Sequence, residues 1–205
     1  MAGMAVPPET PACPNDAGPY DAIVLAGGRA RRLGGVDKAA LEVAGSSSLD
    51  RVLDALAGAG TVVVVGPRRP TVRTVIWTHE QPRFGGPPAA LAAGLLATHA
   101  PTVVVLACDA PLVDGPTVTR LVAAAGGRDG AWLVDPAGHD QYLAAAYRRG
   151  ALGSVGSAPS LRAAVSGLDI ARLVDTTGAS QDMDDWAAVA DVRSAAAARE
   201  RPPAS

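Results

Sequence analysis

The strongest constraint on the fold is a set of short, almost uniformly apolar runs spaced along the chain. Residues 21–26, 61–65 and 102–107 read as continuous hydrophobic strands, and Val occupies four successive positions in the second. Strands buried on both faces read this way, whereas strands with one wet face alternate. Segments with helical spacing of apolar residues lie between them, at 49–57, 87–98 and 115–125. Residues 72–77, 130–134 and 141–147 add further strand candidates, and 160–165 and 185–192 add helices. This alternation predicts an α/β fold: a mostly parallel central sheet covered by helices on both faces, a three-layer sandwich. In such sheets ligands bind in the crevice beyond the carboxyl ends of the strands, so functional residues are expected just after each apolar run.

The 205 residues suit one domain. Residues 1–19, rich in Pro, Gly and Ala, read as a disordered leader, 20–193 as the folded unit, and 194–205 as a frayed helix end and flexible tail. Aromatic residues make up 3% and hydrophobic residues 48%, so the core is built from small aliphatic side chains. The net charge of −2 offers no basic patch for nucleic acid and no lysine cluster for a membrane surface. Two cysteines, Cys13 and Cys108, make neither a disulfide framework nor a zinc site. No secretory signal and no membrane-length apolar run is visible, so the expected setting is cytoplasmic.

Directly after the first strand comes Leu25-Ala26-Gly27-Gly28-Arg29-Ala30-Arg31-Arg32-Leu33-Gly34-Gly35, and then Asp37-Lys38. Glycines let the backbone approach a ligand, and backbone N–H groups in such a loop can cradle phosphate oxygens. Three arginines and a lysine repel one another unless an anion joins them, and a triphosphate is such an anion. The loop is neither a Walker motif nor a dinucleotide fingerprint. By chemistry alone it is a polyphosphate site or a basic surface turn.

The third strand ends in Ala107-Cys108-Asp109-Ala110-Pro111. A carboxylate there faces the crevice and can hold Mg²⁺, or else it caps the next turn. Cys108 reads as a packing residue. Glu80, before Gly85-Gly86-Pro87, reads by itself as a loop acid in solvent. His79 reads as an exposed loop residue. His139-Asp140-Gln141-Tyr142 either contacts a second substrate or forms a turn before a strand. Asp182-Met183-Asp184-Asp185-Trp186 reads by itself as acids that cap the last helix.

The stretch LAGGRARRLGGVDKAAL resembles the signature of the molybdenum cofactor guanylyltransferases, which belong to a superfamily of Rossmann-like nucleotidyltransferases of the nucleotide-diphospho-sugar transferase type. Leu33 stands where Met is commoner. The resemblance extends over about residues 21 to 190. It implies an enzyme that transfers GMP from GTP to the terminal phosphate of molybdopterin and releases pyrophosphate, with Mg²⁺ as cofactor. It further implies that Leu25, Ala26, Gly27 and Gly28 line guanine and ribose, that Arg32 and Lys38 hold the phosphates, and that Arg29 assists. By the same resemblance Asp109 holds Mg²⁺, Glu80 lies near the nucleoside, and Asp182 and Asp184 face acceptor or metal, with Asp184 a second metal ligand. The related cytidylyltransferases carry Ala where Gly27 stands and Pro where Asp37 stands, which tilts the base toward guanine. GTP and molybdopterin are therefore the expected partners of a monomer or weak homo-oligomer. Another acceptor, CTP, or nucleotide binding without turnover are the alternatives.

Overall fold

The computed structural model describes residues 18–28, 33–81, 83 and 85–201. The leader to residue 17, with Cys13, and the arginines Arg29, Arg31 and Arg32 lie outside the described residues.

The elements follow in chain order as β1 (Tyr20–Leu25), β2 (Glu42–Val43), β3 (Ser46–Ser47), α1 (Ser48–Ala55), β4 (Val62–Val65), β5 (Ile76–Thr78), α2 (Gly86–Leu95), β6 (Thr102–Ala107), α3 (Gly115–Ala124), β7 (Gly130–Val134), β8 (Asp140–Arg148), α4 (Leu161–Val165), β9 (Ile170–Val174) and α5 (Trp186–Glu200). Seven strands form one sheet in the order β5-β4-β1-β6-β8-β7-β9. All neighbours in it are parallel except β8, which runs antiparallel to both β6 and β7.

The apolar runs behave as double-faced strands. Val62 and Val64 of β4 join Ala22, Val24, Val104 and Leu106 in a cluster with Leu49, Val52 and Leu53 of α1 and Val118, Leu121 and Val122 of α3. Val63 and Val65 point the other way with Ile23, Leu25, Val103 and Val105, against Leu91 of α2 and Leu161 and Val165 of α4. The period-two alternation of a strand thus serves two cores at once, giving the expected three layers. Helices start where capping predicts: Ser47, Asp114, Ser160 and Asp185 each accept a backbone N–H of the first turn.

Three readings of the sequence need correction. The strand expected over 72–77 begins only at Ile76. Before it, Thr71 Oγ1 donates to the Arg73 carbonyl, and Arg73 turns back to donate to the carbonyls of Leu53, Leu56 and Ala59 at the end of α1. The residues from 194 onward, expected as a frayed end, continue α5 to Glu200, with Ala196 fully buried. Val189, Val192 and Ala196 pack there with Leu33, Leu41, Val43, Leu112 and Met183 in a third cluster. Finally, β9 and the β2–β3 hairpin had no strand signal. In β9, Arg172 interrupts the apolar run and bonds Asp140 at 2.7 Å. The hairpin turns at Ala44 and Gly45, both at positive φ, a conformation for which alanine is a poor marker. Among the described residues, no helix is long and apolar enough to cross a membrane.

Candidate active site

After β1, β4 and β5 build outward on one side, the chain crosses back to place β6 on the other side of β1. This makes β1 the switch point of the sheet, where loops diverge and leave a crevice. Three strand ends open into it: Leu25 into Ala26-Gly27-Gly28, Val65 into Gly66-Pro67, and Ala107 into Cys108-Asp109. The resulting cleft has a volume of about 1050 Å³. Of the described residues named as nucleotide or metal candidates, Leu25, Ala26, Gly27, Gly28, Lys38, Glu80, Asp109 and Asp184 line it, and Asp182 does not. Arg29 and Arg32 are outside the described residues, so their placement stays an expectation.

Lys38 is the centre of the charge arrangement. It rides on a short 3-10 turn, Lys38–Ala40, capped by Asp37 and fastened by the buried methyl of Ala39. Its Nζ donates to Asp109 Oδ2 at 2.8 Å and to Asp184 Oδ1 at 2.5 Å. Burial alone would lower the lysine pKa, but the two carboxylates outweigh it and raise the pKa above the ordinary value. Lys38 is therefore an ammonium at any physiological pH.

The two acids arrive from distant parts of the chain, one after β6 and one before α5. Asp109 follows β6, whose end is fixed by Cys108: its N–H reaches the Leu25 carbonyl, and its own carbonyl accepts from buried Ser48 Oγ at 2.6 Å. Burial pushes the Cys108 thiol up to about 12, with the Asp109 charge adding, so it is no nucleophile. Asp184 comes from the segment before α5. Met183, fully buried in the third cluster, anchors that segment. The acidic stretch divides its contacts: Asp184 accepts from Lys38, while Asp185 caps α5 through the Ala188 N–H. Asp182 stays near enough to feel them. Its carboxyl is raised by partial burial first, then by the charges of Asp184 and Asp109.

The loop that delivers these acids is itself organised by Asp175, at the end of β9. Its two oxygens accept from the N–H groups of Thr177, Ala179 and Ser180 and from two hydroxyls. Burial would raise this carboxyl, but the hydrogen bonds prevail and hold it at about 2.

His139 and Asp140 lie at the turn into β8, where both are hydrogen-bonded. Asp135 accepts from the His139 N–H, and Asp140 accepts from Trp132 Nε1 and from Arg172. Residues overlooked in the sequence are Arg69, which pairs with Asp37, and Gly66. A Cβ on Gly66 would lie 2.6 Å from the Ala26 carbonyl oxygen, so only glycine lets the β4 end pass beneath the loop. Their signal was position: Gly66 immediately follows the buried parallel strand β4, and Arg69 lies in the loop after it. Gly27 is different. A Cβ there would meet nothing within 4 Å, so its missing side chain leaves free volume at the cleft.

As a set, a glycine-lined wall, a fixed ammonium and a pair of converging carboxylates can bind a polyphosphate and a hard divalent cation. Among the described residues no three metal-ligating side chains cluster at one point. Two carboxylates with phosphate oxygens and water are nonetheless the ordinary donor set for Mg²⁺.

A mostly parallel sheet covered on both faces, with a crevice at its switch point, defines a doubly wound α/β protein. Residues 22–177 match the MobA-like NTP transferase domain, and the chain belongs to that family. A molybdenum cofactor guanylyltransferase from Shewanella sp. (strain MR-4) is 31% identical over 109 residues. That stretch is 51% of this chain and 55% of the relative, so the chain spans about half the length of the curated relatives it matches. Two solved structures share the fold. One is a nucleotidyl transferase from Methanothermobacter, with TM-score 0.75 and 16% identity over 89% of this chain and 100% of that one. The other is the molybdopterin-guanine dinucleotide biosynthesis protein A of Archaeoglobus fulgidus, with TM-score 0.69 and 17% identity over 87% and 99%.

Proposed function

We propose that this protein transfers GMP from GTP to the terminal phosphate of molybdenum-bound molybdopterin and releases pyrophosphate. The observation that carries the reading is the Lys38 ammonium held between Asp109 and Asp184 at the floor of the cleft that Gly27 and Gly28 border. Family membership and the guanylyltransferase relative support it. So does the free volume at Gly27, which suits a purine.

In this reading the segment Leu25 to Gly28 lines guanine and ribose, and Glu80 borders the nucleoside. Lys38 and Arg32 hold the triphosphate, with Arg29 beside them. Asp109 and Asp184 hold Mg²⁺, which when bound neutralises charge on the phosphate oxygens. Lys38 exchanges its carboxylate partners for the triphosphate as nucleotide and cation enter. An oxygen of the acceptor phosphate attacks the α-phosphorus in line, a new P–O bond forms, and the bond to the β-phosphate breaks. Catalysis is positioning and electrostatics, with no side-chain nucleophile. Pyrophosphate release from GTP, Mg²⁺ and molybdopterin-bound molybdenum tests this. The expected result is turnover with GTP that Asp109→Ala abolishes; turnover with CTP and not GTP would overturn the base assignment.

A further inference from the structure

We propose that Arg69 is a positioning residue of the nucleotide site: it locks the Asp37–Lys38 turn against the loop after β1, so that Lys38 is presented to the triphosphate in one place. This rests on the function proposed above and adds a residue to it.

Arg69 approaches Asp37 as a fork. Its Nε donates to Asp37 Oδ2 at 2.5 Å and its Nη2 to Asp37 Oδ1 at 2.7 Å. The remaining nitrogen, Nη1, donates to the Pro67 carbonyl at 2.7 Å and to the Ala26 carbonyl at 3.4 Å. One guanidinium therefore joins the loop after β1, the loop after β4 and the turn that bears Lys38. Arg69 is 16% exposed at its side chain and lines the cleft.

The turn needs such a tie. It is a three-residue 3-10 element closed by two backbone bonds, Ala40 N–H to the Asp37 carbonyl at 3.0 Å and Leu41 N–H to the Lys38 carbonyl at 3.2 Å. So short a 3-10 piece has little stability of its own. Asp37 caps it by accepting from the Ala39 N–H at 3.2 Å, and Arg69 fixes the Asp37 carboxylate that does so. A lysine at 69 supplies a point charge but not two parallel bonds plus a carbonyl contact.

The test compares Arg69→Ala, Arg69→Lys, Asp37→Ala and the Arg69→Ala/Asp37→Ala double variant of the full chain. The tie joins loops at the cleft and not the layers of the core, and Asp37 is 44% exposed, so melting temperatures should stay within about 3 °C of the unsubstituted protein. Amide hydrogen exchange should speed up at Ala39, Ala40 and Leu41 in Arg69→Ala and Arg69→Lys while β1 and β4 stay protected. For GTP, kcat/KM should fall about tenfold or more in both Arg69 variants, because displaced catalytic groups cost rate steeply. The double variant should lose no more than Asp37→Ala alone, since Arg69 acts through Asp37. Unchanged exchange in Arg69→Ala, restoration by Arg69→Lys, or additive losses would each overturn the proposal. A native chain that turns over no nucleotide would overturn the function instead, and the exchange measurement then decides the Arg69 tie by itself.

Discussion

Two residues without side chains control how close the backbone comes at the nucleotide wall, and they do so for opposite reasons. Gly27 borders the cleft, and a methyl there meets no atom of the described residues within 4 Å, so it takes volume from a ligand. Gly66 sits at φ +151° with the Ala26 carbonyl 2.6 Å from where a Cβ would be. Gly66→Ala should therefore displace the Ala26–Gly27 backbone, destabilise the fold by about 1–3 kcal/mol, and raise KM for the nucleotide. Gly27→Ala should leave the melting temperature unchanged and weaken GTP more than CTP. Denaturant titration together with nucleotide affinities separates the two, and equal stability loss in both would contradict the geometry.

At the scale of elements, the connection between β9 and α5 is the least sheet-like part that the site depends on. It holds its shape through Asp175, whose carboxyl is kept at about 2 against an ordinary value near 3.8. A carboxyl depressed in the folded state stabilises above its unfolded pKa and ceases to as pH falls through the folded one. The contribution is thus complete at neutral pH, and it shrinks from about pH 4 down to about pH 2. The shift corresponds to roughly 2 kcal/mol. Asp175→Asn should lower stability by about that amount at pH 7, with the gap to the native chain narrowing below pH 4 in urea melts. A gap that stays constant with pH would mean the loop relies on packing instead. The same element shows why this region was hard to read. Asp182 to Trp186 was legible as an acidic stretch with two possible roles, and only the burial of Met183 and the cap at Asp185 assign them to different residues.

Across the whole molecule, the layers are spaced by what fills the gaps between them. Gly94 of α2 lies against Ile23 of the central strand, and a Cβ on it would lie 2.7 Å from Ile23 Cγ2. Alanine in a helix gains about 1 kcal/mol over glycine, but overpacking a filled core costs about 1–3 kcal/mol, and Ile23 is fully buried. Gly94→Ala should therefore be net destabilising, visible as a lower denaturation midpoint. A stabilised variant would mean that the helix layer can shift outward. The loop of glycines and the aspartate after β6 could be located from sequence because parallel strands announce their ends by composition, and the ends are where ligands bind.

What the sequence by itself determined is the set of doubly buried strands, the layer order they require, and the chemistry attached to the ends of β1 and β6. Each of these depends on residues close together in the chain. The meeting of Lys38 with Asp184, 146 positions away, the tie from Arg69 to Asp37, and the α5 cluster in which Met183 anchors the segment that bears Asp184 were decided only by tertiary structure. An ion pair or a buried methionine leaves no periodicity in the sequence; its partner is fixed by which strands lie side by side, and that order is set by packing.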